Sequence, residues 1–152
     1  MQNTRNFDLL GGALLDVLSI LNSPKRDDVL LAEAGVDIDR ALFPLLVALD
    51  VRGPLVVSEL ADLVGRDHTT VSRQLAKLES LKLVKRRDGA ADRRKTTTTL
   101  TAGGAEIAHK IARARWRLLA KALADWSDAD RGALATLNRR FADTLLARSK
   151  GA

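Results

Sequence analysis

The chain has no cysteine and no tyrosine, and only 3% of its 152 residues are aromatic. The first absence excludes disulfides, thiol redox sensing and thiolate metal sites together. The shortage of aromatics, set against abundant Leu, Ala and Val, favours helices over a sandwich or barrel. Two histidines, His68 and His109, stand too far apart in sequence to pair on one helix, so no metal or other cofactor is expected. No apolar run approaches the roughly 20 residues that span a bilayer, so no membrane partner is expected. Met1 to Arg5 lack the basic-then-apolar pattern of a secretion signal, which leaves a cytoplasmic location as the expectation. There is no internal repeat, and the only low-complexity stretch is the threonine run Thr96 to Thr99.

What is present suffices for a folded core. With 46% hydrophobic and 29% charged residues, the chain fits one compact domain or a small module with helical additions. The charge is unevenly placed. Ten basic and four acidic residues lie between Arg66 and Lys95, a local excess equal to the net +6 of the whole chain. A solvated face is the ordinary meaning of a charge run, but one confined to a single segment is also the electrostatic footprint that phosphate requires.

Periodicity supplies the organisation. Phe7, Leu10, Leu14, Val17 and Leu21 recur at helical spacing, and Asn22-Ser23-Pro24 is expected to end that helix. Lys25 to Asp28 then reads as a loop, with a further helical turn over Val29 to Ala34. Asp37 or Asp39 is expected to cap a helix through Leu42, Leu45, Leu46 and Leu49, with Pro44 tolerated in its first turns. Gly53-Pro54 breaks the chain, Ser58 is expected to cap a short helix over Glu59 to Val64, and Gly65 supplies a turn. Asp67 caps a helix from His68 to about Leu81. Leu83 to Arg87 and Lys95 to Leu100 suit two strands, joined by a loop longer than a minimal hairpin turn. A long helix is expected from Thr101 through Leu123 and Trp126. A final one, capped at Ser127, carries Leu134, Leu137, Phe141 and Leu145.

A short helix, a glycine turn, a second helix and a basic hairpin are the parts of a winged helix-turn-helix. The fold class is therefore mainly α with a small β-wing, a winged helix-turn-helix carrying N- and C-terminal dimerisation helices. Residues 39–100 are expected to form the DNA-binding region, and residues 1–38 with 101–152 a dimerisation region, without a separable linker.

On the helix after Gly65, Val71, Leu75 and Leu78 share one narrow sector that must face the core. The opposite face presents Thr69, Arg73, Ala76, Lys77 and Ser80, with Thr70 and Ser72 at its flanks. Arg73 is the candidate for a bidentate contact to guanine, and Thr69 and Thr70 for thymine methyls or phosphates. Ser72 and Lys77 suit backbone contacts, and His68 lies in the exposed first turn. Asp67, His68 and Ser72 do not make a hydrolytic triad, since no oxyanion loop accompanies them, and no enzyme is expected. In the hairpin, Arg86, Arg87, Arg93, Arg94 and Lys95 concentrate charge near the tip, where an arginine can enter a narrow minor groove. Asp92 can brace Arg94 in a bidentate pair.

These segments resemble the MarR (multiple antibiotic resistance regulator) family of transcription factors. The resemblance is carried by Ser58-Glu59-Leu60-Ala61, Thr70-Val71-Ser72-Arg73-Gln74-Leu75, Leu78-Glu79 and Leu83-Val84. Asp92-Arg93-Arg94 and Leu100-Thr101-Ala102-Gly103-Gly104 complete it. It covers about residues 53–105, and its most specific part is the D-x-R followed by L-T-x-x-G. It implies a homodimer whose terminal helices interleave, two winged modules on successive major grooves of a near-palindromic double-stranded DNA site, and insertion of Arg94 with Arg93 beside it. Arg66 departs from the pattern, since an apolar residue is usual there, so the turn either packs less tightly or gains a phosphate contact.

Phe7, Leu10, Leu14 and Val17, with Leu134, Leu137, Phe141 and Leu145, carry more apolar surface than one small module covers. A two-fold interface would bury them. The resemblance also implies a small-molecule effector of unknown identity. With so few aromatics, Phe43 and Trp116 are the candidates to line its pocket, although each also suits a core position. A sequence-specific regulator, with repression as the expected mode, is the leading reading. An architectural DNA-coating protein without a preferred site is the alternative.

Overall fold

The computed structural model describes residues 2–89 and 95–151, so Ala90 to Arg94, with Asp92 and Arg93 among them, lie outside the described residues. Helix α1 runs Gln2–Leu21 and α2 runs Pro24–Ala34. Here the expectation of a loop at Lys25 to Asp28 is corrected, because those residues are helical. Pro24 occupies the first helical position, where its fixed φ suits the helix and its missing amide costs nothing, so it starts α2 as well as ending α1. Gly35, at φ 65°, closes α2 in the left-handed conformation.

Helix α3 is Phe43–Arg52, and β1 is the pair Leu55–Val56. Asp39 does not cap α3 directly. Its carboxylate accepts the Ala41 amide at 2.9 Å and shapes the turn that leads in. Helix α4 spans Val57–Val64, so Ser58 lies within its first turn and is not its cap. The stabilising contact there is Glu59, which accepts the Val56 amide at 3.1 Å. Helix α5 is His68–Ser80, β2 is Val84–Arg87, β3 is Thr97–Leu100 and α6 is Ala102–Ala122. Trp126 falls in a bend after α6 and not in it; Ser127 then accepts the Asp130 amide at 3.1 Å and opens α7, Asp128–Ser149.

The three strands form an antiparallel sheet in the order β1-β3-β2, with Leu55 opposite Thr98 on one side of β3 and Val84 opposite Leu100 on the other. The unit formed by residues 1–115 holds the core. Leu45 and Leu46 of α3, Leu60 of α4, and Val71, Leu75 and Leu78 of α5 are fully buried together with Val84. Each such leucine contributes about 1.5–3 kcal/mol by leaving water. A second cluster joins Leu31, Phe43 and Ile111, and Ile107 packs against both.

Two helices bury none of their own described side chains. Among the described residues of α1 none is buried, and Phe7, Leu15 and Leu21 are each more than 60% exposed. Within the unit of residues 116–152, α7 also buries nothing, and Leu137 is 60% exposed.

Candidate nucleic-acid interface

The turn between α4 and α5 is built from three residues with separate tasks. Gly65 adopts φ 66°, a left-handed conformation that costs a Cβ-bearing residue about 1–2 kcal/mol. The Asp67 carboxylate caps α5, accepting the Thr70 amide at 2.9 Å and the Thr70 hydroxyl at 2.6 Å. That hydroxyl first, and then the amide, hold the Asp67 carboxyl below its ordinary range. Arg66, between them, turns inward: Nη1 donates to Ala41 O at 2.5 Å and to Gln74 Oε1 at 2.8 Å. The looser packing expected of this turn is not what the side chain produces. It ties the turn to the segment before α3 and to α5.

Helix α5 faces as its sequence demands, with Val71, Leu75 and Leu78 inward and His68, Thr69, Arg73 and Lys77 exposed. Thr70 and Ser72 are half-buried at the flanks, and the Thr70 hydroxyl is already committed to Asp67. At the far end α5 stops in a left-handed residue that is not glycine, Lys82 at φ 59°. The Leu83 amide bonds Leu78 O and the Lys82 amide bonds Glu79 O, the double bond of a Schellman cap. Lys82 O in turn accepts the Thr101 hydroxyl at 2.7 Å. Thr101 Oγ1 also accepts the Gly104 amide at 3.1 Å, so one side chain caps α6 and pins the start of the wing.

In the wing, Gly89 N donates to Lys95 O at 3.1 Å and Thr96 Oγ1 donates to Asp88 Oδ1 at 3.1 Å, squaring the ends of the strands. Lys85, Arg87 and Lys95 are exposed. Arg93 and Arg94, expected to enter DNA, and Asp92, expected to brace them, fall outside the described residues. Arg86 lies back over α5, with Nε 3.3 Å from Glu79 Oε2 and Nη2 donating to Ser72 O at 3.4 Å. Sequence reasoning placed Arg86 with the free wing cations and did not find Glu79.

Two concavities flank these elements. One, of about 410 Å³, brings His68 and Lys95 together with Ser58, Glu59 and Thr96. The other, of about 540 Å³, is lined by Phe43, Pro44, Val47 and the three arginines Arg52, Arg66 and Arg115. Trp116, the second aromatic considered for an effector, is 71% exposed. No group of His, Asp or Glu among the described residues could hold a metal ion. No single helix among them is long and apolar enough to cross a membrane.

Comparison with known proteins gives one consistent result. A model of the MarR family matches residues 36–95. An uncharacterized HTH-type transcriptional regulator of Bacillus subtilis, YxaD, is 31% identical over 105 residues, which cover 69% of this chain and 73% of that protein. Among solved structures, a MarR family protein from Bacillus stearothermophilus is 22% identical, covers 94% of this chain and 97% of its own, and superposes with a TM-score of 0.78. The structure of MarR itself covers 93% of this chain and 94% of its own at 22% identity, with a TM-score of 0.74.

Proposed function

This chain belongs to the MarR family of DNA-binding transcriptional regulators, and from that premise we propose that it is a dimeric repressor reading a near-palindromic operator. Members of the family are regulators and not enzymes. The observation that carries the reading is the exposed face of α5, where Thr69, Arg73 and Lys77 stand clear of the core beside the basic hairpin. In this reading α5 enters the major groove. Arg73 reads guanine, His68, Thr69 and Thr70 line the approach, and Ser72 and Lys77 hold phosphates. Arg87, Lys95, Arg93 and Arg94 follow the adjacent minor groove.

Dimerisation is part of the same proposal. Helices α1 and α7 leave Phe7, Leu10, Val17, Leu134, Leu137 and Leu145 exposed, and Leu14 and Phe141 half-exposed, on a single chain. A second copy would cover both surfaces, and its two-fold axis would explain a palindromic site. Residues 1–38 and 101–152 would then serve the dimer and 39–100 the DNA. An effector would enter the cleft beside Phe43, and the protein would work in the cytoplasm.

The test is a titration of variants on a preferred site and on random DNA at one stated salt concentration. Arg73→Ala is expected to relax base preference, with a loss of about 1–3 kcal/mol on the preferred site alone. Lys77→Ala is expected to weaken both about equally. If Arg73→Ala leaves affinity and preference intact, α5 does not read bases. If wild type prefers its site by less than about tenfold, DNA coating replaces operator recognition.

A further inference from the structure

Arg86 sits on β2 opposite Thr98, yet its side chain is engaged with α5, by Nε at 3.3 Å from Glu79 and by Nη2 at 3.4 Å from Ser72 O. Ser72 and Glu79 are seven residues, two turns, apart on the same side of α5, so the guanidinium lies along the helix and touches it at two levels. The joint between α5 and β2 is already rigid at its near end, through the Lys82 cap and the Thr101 hydroxyl. Arg86 adds a second attachment further along the hairpin. Two attachments fix an angle where one leaves a hinge.

We infer that Arg86 is a positioning residue, clamping the hairpin to α5 through Glu79 and the Ser72 carbonyl so that both elements reach DNA at a preset angle. The inference rests on the proposal that α5 and the hairpin enter adjacent grooves. It replaces the direct DNA contact that the sequence assigns to this arginine. The planar fork of a guanidinium suits the task, because it bonds a carboxylate and a carbonyl at once, which a lysine ammonium does poorly. A phosphate would have to compete with Glu79 for the same donors.

The two roles predict opposite signs for one substitution. Glu79→Ala removes a negative charge beside the DNA face. If Arg86 binds phosphate, freeing it from Glu79 tightens binding. If Arg86 is a clamp, the same change weakens binding to the preferred site, by roughly two- to fivefold per module, the range of a partly exposed charge pair. Glu79 is exposed and alanine is the better helix former, so the variant is expected to fold, and melting with circular dichroism checks this. Arg86→Lys keeps the charge but is expected to behave like Glu79→Ala. Arg86→Glu alone is expected to weaken binding, and the exchange Glu79→Arg with Arg86→Glu to restore most of it. The slope of log affinity against log salt is expected to stay constant for Glu79→Ala and Arg86→Lys.

Tighter binding by Glu79→Ala overturns the clamp, as does an exchange variant no better than Arg86→Glu. A slope shallower by about 1 per module in Arg86→Gln, the mark of a lost phosphate contact, overturns it too. A wild-type protein with no preferred site overturns the clamp and the reading beneath it together. Tighter Glu79→Ala binding to a site that wild type still prefers removes the clamp alone.

Discussion

Gly104→Ala is expected to destabilise the protein although alanine is the better helix former. Gly104 is the third residue of α6, and a Cβ placed on it would lie 2.0 Å from Leu83 O, 3.0 Å from Leu83 C and 3.3 Å from Leu100 Cδ2. The first two neighbours are backbone, so no rotamer change relieves them. Either α6 or the chain entering β2 must move by more than 1 Å, breaking the Thr101 contacts that hold both. Helix propensity returns at most about 1 kcal/mol, while overpacking a tight contact costs about 1–3 kcal/mol and occasionally more. Because the clash is with backbone, the cost lies at the upper end of that range, and a net loss of up to about 2 kcal/mol follows, which lowers the melting temperature by up to about 4–8 °C in a chain of this length. Gly103→Ala is the control in the same helical turn, since its Cβ would meet nothing nearer than 3.8 Å. Thermal scans of both variants at one protomer concentration decide the matter. Equal melting temperatures for the two would refute the proposed close approach of α6 to Leu83.

Three further outcomes follow from local geometry. Lys82→Gly relieves a left-handed residue at φ 59° and is expected to gain about 1 kcal/mol in urea unfolding, whereas a loss would show that the lysine side chain is needed there. Thr98→Val removes a buried hydroxyl that has no hydrogen-bond partner among the described residues. It is expected to gain about 1–2 kcal/mol at unchanged m, and a lowered urea midpoint would reveal a partner for Oγ1. Asp67→Ala lowers the melting temperature at neutral pH. A carboxyl whose folded pKa is lowered stabilises above its unfolded value and loses that effect as pH falls through the folded one, so the gap to wild type should close in acid. Asp67→Asn, still a good cap, should lose less, and a gap constant down to acid pH would refute the ionised cap.

Much of the fold was legible because local chemistry and tertiary position agree. The sector of Val71, Leu75 and Leu78, the Gly65 turn, the Asp67 cap and both wing strands lie where their sequence places them. What was missed depends on partners distant in sequence. Strand β1 is two residues long and exists through its pairing with β3, some forty residues later. Pro24 is a stop signal for α1 and an equally good first residue for α2, and sequence alone weighed only the first meaning. Lys82 takes a glycine's conformation without being glycine, because the Schellman bonds and Thr101 hold it there. On α5, the exposure of Thr69, Arg73 and Lys77 was legible from helical phase. Arg66 and Arg86 were not, since charge says that an arginine is present but not that Gln74 or Glu79 stands within reach.

The most direct measurement is selection of bound sequences from a random double-stranded DNA pool, followed by titration of the winners at fixed salt. The expected product is an inverted repeat with half-sites centred about 10–10.5 base pairs apart, bound at least about 10³-fold more tightly than random DNA. A pool that returns without enrichment, or enriched only in a single asymmetric element, would contradict operator recognition by a symmetric pair of winged modules.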